Sequence, residues 1–79
     1  MVEAASPPPP TAEDVALYRG AAIAYRSARR LGAKPHDCHF AAAEAVKALR
    51  PDLCHADVEK LAHDAVNWTA MAHGGWFWR

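Results

Sequence analysis

The sequence predicts an all-α fold, a small three-helix bundle, on three observations. Alanine occurs 19 times in 79 residues, and alanine has the highest helix propensity because it loses no side-chain entropy. Apolar residues recur at alternating steps of three and four, the period of a helix with one buried face. Gly32 with Pro35, and then Pro51, interrupt that period, and no window alternates with the period of two that a half-buried strand needs.

The elements follow in order. Residues 1–10, MVEAASPPPP, read as a flexible proline-rich arm, because consecutive prolines favour polyproline II and cannot join a helix or a sheet ladder. The helical domain spans residues 11–73 and an aromatic tail spans 74–79. The first helix is expected over 12–31. Thr11-Ala12-Glu13-Asp14 resembles a capping box with a shortened acid, and Glu13 and Asp14 suit the positive end of the dipole. Its seam is Leu17, Ala21, Ala24, Ala28 and Leu31, and Gly32 is the stop. Gly20 among alanines marks a close approach of another helix. The second helix is expected over 37–49, capped by Asp37, with Cys38, Ala42, Ala45, Val46 and Leu49 inward. The third is expected over 54–73, with Cys54, Val58, Leu61, Ala65, Trp68 and Ala72 inward, and Gly74-Gly75 end it. The linkers fall within the usual two-to-eight-residue range for bundles.

A chain this short buries only about 60–65% of the surface its unfolded form exposes. Its core is alanine-rich, so each large side chain carries much of the burial. Lys plus Arg equals Asp plus Glu at nine each, which argues against binding a polyanion or a membrane surface by bulk charge. No apolar run approaches a membrane span, and no secretory signal pattern opens the chain. A cytoplasmic location follows as the default, with Cys38 and Cys54 reduced.

Several constellations bear on chemistry. Lys34-Pro35-His36-Asp37-Cys38-His39 aligns with Arg50-Pro51-Asp52-Leu53-Cys54-His55. Cys38, His39, Cys54 and His55 are therefore weak zinc-ligand candidates. Adjacent residues on a helix point about 100° apart, and the paired spacings of structural zinc sites are missing. Both cysteines also fall on apolar seams, so they are expected to be buried, structural thiols. His55, Glu59 and His63 share one helical stripe, whose outer members lie about 12 Å apart, too far for one metal. No catalytic residue and no cofactor is assigned, because nucleophile elbows, phosphate-binding loops and H-E-x-x-H are all missing. A helix-turn-helix reader fits poorly, because its recognition helix would carry Lys60 against Asp57, Glu59 and Asp64.

Two surfaces remain. Arg19, Arg26 and Arg30 are spaced by seven and four and share one face of the first helix. No acid interrupts the basic residues between positions 19 and 34. The tail ends in Trp76-Phe77-Trp78-Arg79. Trp76 is expected to fold back onto the core, while Trp78 and Arg79 meet a partner, since tryptophan and arginine dominate binding hot spots. The expected function is a non-catalytic protein–protein interaction module of the accessory- or inhibitory-subunit kind. Its partner is an unidentified protein with an acidic surface, met by Arg19, Arg26, Arg30, Trp76, Trp78 and Arg79. One alternative is a nucleic-acid-associated protein using Arg19, Arg26, Arg29, Arg30 and Lys34. The other is a zinc- or thiol-dependent module at the two Cys-His pairs.

Overall fold

The structure is a computed structural model that describes residues 9–79. It shows α1 (Val15–Arg30), α2 (Pro35–Leu49), α3 (His55–Ala72) and a single-turn α4 (Gly74–Phe77). Three long helices pack into one bundle, and among the described residues there are no strands. Among them, too, no helix is long and apolar enough to cross a membrane. The expected arm at 1–10 lies outside the described residues except for Pro9 and Pro10.

Each helix boundary has a local cause. Thr11 Oγ1 accepts the Asp14 N–H at 3.2 Å, the cap bond expected of it. The segment from Ala12 to Asp14 nevertheless forms a turn, and α1 proper starts three residues later than expected, with Asp14 as its N-cap. At the other end Gly32 adopts φ +91°. Its N–H reaches the Arg29 carbonyl at 2.9 Å, and the Ala33 N–H reaches the Ala28 carbonyl at 3.0 Å. Those two bonds make a Schellman stop, which needs a left-handed residue at this position. α2 begins at Pro35 rather than Asp37, with Lys34 as N-cap. Proline suits the first helical position because the N–H it lacks has no intrahelical partner there. Asp37 then lies within the first turn, on the positive end of the dipole.

The second Lys/Arg-Pro-x-x-Cys-His copy folds differently. Pro51 and Asp52 form a turn that Arg50 clamps, its Nε and Nη2 donating to the two Asp52 carboxylate oxygens at 3.0 and 2.9 Å. Cys54 is therefore the N-cap of α3 and Cys38 sits inside α2. The repeat in sequence is not a repeat in structure.

The core mixes six alanines with a few large side chains. Leu17, Tyr18, Ala21, Ala22 and Tyr25 of α1 meet Cys38, Ala42, Ala43 and Val46 of α2 and Val58, Ala62, Ala65 and Val66 of α3. Alanine faces let helix axes approach closely, and Gly20 extends that logic. A Cβ placed there would lie 3.3 Å from Leu49 Cδ1, so the close approach read from the sequence is real. Several seam positions rotate outward. Leu31 is 88% exposed, Leu49 is half exposed, and Cys54 is exposed rather than buried. Leu31 is the residue at which α1 ends. Leu49 is the last residue of α2. Helix ends have fewer neighbours to cover them.

Candidate functional site

The tail is where the structure departs most from expectation. Its six residues do not trail as an extended segment. His73 ends α3 by donating its N–H to the Thr69 carbonyl at 2.8 Å. Its own carbonyl then accepts the Trp76 and Phe77 N–H groups at 3.1 and 2.9 Å, starting α4. His73 makes this corner at φ −132° and ψ 40°. Neither Gly74 nor Gly75 uses a positive φ, so the reversal does not depend on left-handed glycine.

A single helical turn separates successive side chains by about 100°, so only one of the three aromatics can face inward. That residue is Phe77, fully buried and stacked on Tyr25 with centroids 5.3 Å apart. Trp76 is 38% exposed and Trp78 is 59% exposed. The expected division of labour is thus corrected: Phe77 is the core residue, and Trp76 lies at the surface with Trp78. Trp68, expected inside, is half-buried and sits edge-on to Tyr18 at 6.1 Å.

Phe77 anchors the turn against α1, which brings the two expected contact surfaces together. The Arg26 guanidinium lies over the Trp76 ring at 4.7 Å, and its Nε donates to the Trp76 carbonyl at 3.1 Å. Arg29 lies over Trp78 at 4.9 Å and over Phe77 at 5.4 Å, with Nη2 donating to the Arg79 carbonyl at 3.3 Å. Arg79 in turn donates from Nε to the Gly75 carbonyl at 3.2 Å. Arg29 Nη1 is buried and has no hydrogen-bond partner among the described residues. The guanidinium as a whole lies over the electron-rich faces of Phe77 and Trp78. Guanidinium on aromatic is arginine's particular capacity, because its plane is delocalised and weakly hydrated.

Electrostatically the cluster is unbalanced. Among the described residues, the ion pairs are Arg50–Asp52 and Lys60–Asp64. Among them, none of Arg19, Arg26, Arg29, Arg30 and Arg79 is paired with an acid. Partial desolvation lowers the Arg26 pKa from its ordinary value, and the charges of Arg30, Arg29 and Arg79 lower it further. It stays cationic, since arginine keeps its proton in proteins. Arg30 and Arg19 are exposed. Sequence spacing places Arg29 only in the nucleic-acid alternative, yet it makes the most tail contacts. The signal was legible: Arg29 is three residues from Arg26, so both can reach one neighbouring segment.

The zinc candidates do not assemble. Cys38 is buried and its Sγ donates to the Ala33 carbonyl at 3.5 Å. Cys54 and His55 are exposed at the start of α3. Among the described residues no group of three or more His, Cys, Asp or Glu side chains could hold a metal. His39 instead stacks on His63 with centroids 4.5 Å apart and planes at 16°, while Tyr25 meets His39 edge-on at 4.9 Å. Burial lowers the His39 pKa from its ordinary value, His63 and His36 add to that, and Glu59 opposes it. The pairing of His39 with His63 was not legible, because it depends on how α2 and α3 are rotated against each other.

A groove of about 430 Å³ adjoins the arginine–aromatic cluster. α1 contributes Val15, Tyr18, Arg19 and Ile23, α3 contributes Trp68 and Thr69, and Trp76 of the tail closes one side. No protein-family model, curated protein or solved structure matches the chain.

Proposed function

We propose that this chain is a non-catalytic protein-interaction module whose contact surface is the joined arginine face of α1 and aromatic turn. The observation that carries the reading is the stacking of Arg26 on Trp76, with Arg29 stacked on Trp78 beside it. Tryptophan and arginine are the residues most enriched in hot spots. Stacking also holds them in place before binding, which reduces the ordering cost of association. The excess of unpaired cations selects a partner with carboxylates, which match the guanidinium fork. Arg19, Arg26, Arg30, Trp76, Trp78 and Arg79 are the proposed contacts, with Arg29 holding the tail in position. The reading keeps a cytoplasmic site of action, supported by two free cysteines.

A single-stranded nucleic acid is the second reading, because aromatics among arginines also suit stacked bases. Against it, Arg26 and Arg29 already cover one face of each exposed tryptophan. The formal net charge is also zero. The test is a titration of the full chain with a fluorescent glutamate-rich peptide and, separately, with an oligothymidylate, across salt concentrations. The peptide should bind more tightly, and Arg26→Glu with Arg30→Glu should weaken it mainly at low salt. Tighter oligothymidylate binding, with log affinity falling by about 0.7 per phosphate contact against log salt, would favour the nucleic-acid reading. Peptide binding indifferent to both reversals would leave the arginine face as plain solvated surface.

A further inference from the structure

The groove beside the cluster narrows the chemistry of the partner, an inference that rests on the acidic-partner reading. We infer that the groove between α1 and α3 receives an amphipathic helix of the partner, with its apolar stripe on Ile23, Trp68 and Trp76 and its carboxylates on Arg19 and Arg26.

Four observations converge. First, the groove is mainly apolar, with Arg19, Thr69 and His73 among its polar members, and two of its apolar wall residues are open to contact: Val15 is 45% exposed and Ile23 is 47% exposed. Those are large β-branched side chains left at the surface of a small domain that buries alanine at six of its fourteen core positions. Second, among the described residues no acidic side chain lines it, whereas Arg19 does. Arg26 stands over the Trp76 ring that forms one side. Charge complementarity therefore assigns the acids to the occupant. Third, Val15, Arg19, Ile23, Arg26 and Arg30 follow one stripe of α1, and at 1.5 Å per residue that stripe is about 22 Å long. A stripe of that length, flanked by a second helix, matches the ridge-and-groove surface on which a further helix packs. Fourth, among the described residues there is no sheet edge, so an extended peptide would find no strand to pair with. The occupant completes a four-helix arrangement, and Trp76 serves both the groove and the cationic rim.

The experiment follows the combined emission of Trp68, Trp76 and Trp78 of the full chain on titration with three synthetic peptides. The first is an acidic helix of about 16 residues with leucines at helical spacing. The second keeps its glutamates and replaces the leucines with serine. The third keeps the leucines and replaces the glutamates with glutamine. The first should bind about ten-fold more tightly than either of the others, a difference of about 1.4 kcal/mol. Ile23→Asp should abolish that advantage, and its carboxylate, one turn from Arg19 and Arg26, should also weaken the serine peptide through charge alone. Val15→Asp should do the same, and it adds a favourable charge at the start of α1, so its fold is secure. Arg26→Glu should weaken both acidic peptides.

Equal binding of the first two peptides, unaffected by Ile23→Asp, would overturn the groove inference and leave the acidic-partner reading standing. Failure of both acidic peptides would overturn both. Tightest binding by the glutamine peptide would overturn the charge assignment. Two further outcomes give the groove to this chain itself and also overturn the inference. One is tighter binding of a peptide of residues 1–10, whose Pro10 touches the groove. The other is self-association that Ile23→Asp removes.

Discussion

At the scale of single residues, Phe77 and its two neighbours show how one turn of helix sorts three aromatics. Phe77 is fully buried against Tyr25, whereas Trp76 and Trp78 touch α1 mainly through Arg26 and Arg29. Phe77→Ala should therefore cost about 3–5 kcal/mol, as for other buried phenylalanines. Trp76→Ala and Trp78→Ala each give up a partly exposed cation–π contact, about 0.5–1 kcal/mol. Thermal unfolding of the three variants separates these values, and a Trp76→Ala loss equal to that of Phe77→Ala would show that the turn sits in another register. The sequence places three aromatics in a row, which on one helical turn cannot all face inward together. It did not signal which one would, because that depends on where α3 ends, and His73 ends it before either glycine. His39 carries the other residue-scale prediction. Its folded pKa is lowered below the unfolded value, first by burial and then by His63 and His36. The unfolded chain therefore binds the proton more readily, and stability rises with pH through the window below the ordinary histidine value. Acidification below that value should destabilise the protein, until His39 is protonated in the folded state as well. His39→Gln should flatten this part of the profile in denaturant titrations at a series of pH values. An unchanged slope would move the effect to another group.

At the scale of elements, the starts and stops of the helices were the legible part, and side-chain rotation was not. Gly32 was recognisable as a stop because a Schellman turn needs φ near its observed +91°. Gly32→Ala should cost about 1–2 kcal/mol from the left-handed backbone alone, since open space surrounds the position. Unchanged stability in that variant would mean that the turn relaxes into another cap. Cys54 gives the complementary case. The four-three spacing put it on the apolar seam, but a seam pattern continues past the point where a helix begins, and Cys54 is the N-cap in extended geometry. It makes no side-chain cap bond, and serine is among the best residues at that position. Cys54→Ser should raise stability by about 0.5–1 kcal/mol. Cys38→Ser, at a buried site, should lower it by about 1–3 kcal/mol through the added hydroxyl. A melting-temperature comparison of the two reads both signs, and equal shifts would place the two thiols in equivalent environments. The arginine stripe was legible for the same reason as the stops: Arg19, Arg26 and Arg30 lie on one face by spacing alone. What spacing could not supply was the segment that Arg26 and Arg29 meet, which arrives from the far end of the chain.

At the scale of the whole molecule, the α1–tail contact joins the two ends of the described fold and makes stability and recognition share one element. The largest fully buried side chains are Phe77, Val46 and Cys38, so the last turn supplies the largest fully buried side chain of a core that also holds six alanines. Domains of this size have a total stability of about 4–12 kcal/mol, at 0.05–0.15 kcal/mol per residue. Losing Phe77 alone removes about 3–5 kcal/mol of it. A chain cut after Gly75 also loses the carbonyls that Arg26 and Arg29 bond and the rings they cover. It exposes the face of Tyr25 as well. Such a truncation should melt well below the full chain, with a broadened transition and a reduced helical signal by circular dichroism. Its failure to bind would therefore report unfolding rather than a missing anchor. The clean separation is Trp78→Ala, which keeps Phe77 seated and should retain the full helical signal while weakening partner binding by about 2 kcal/mol, the hot-spot scale. If the chain ending at Gly75 melts like the full-length protein, α4 is not part of the core. Arg26 and Arg29 would then face solvent rather than a preassembled aromatic surface.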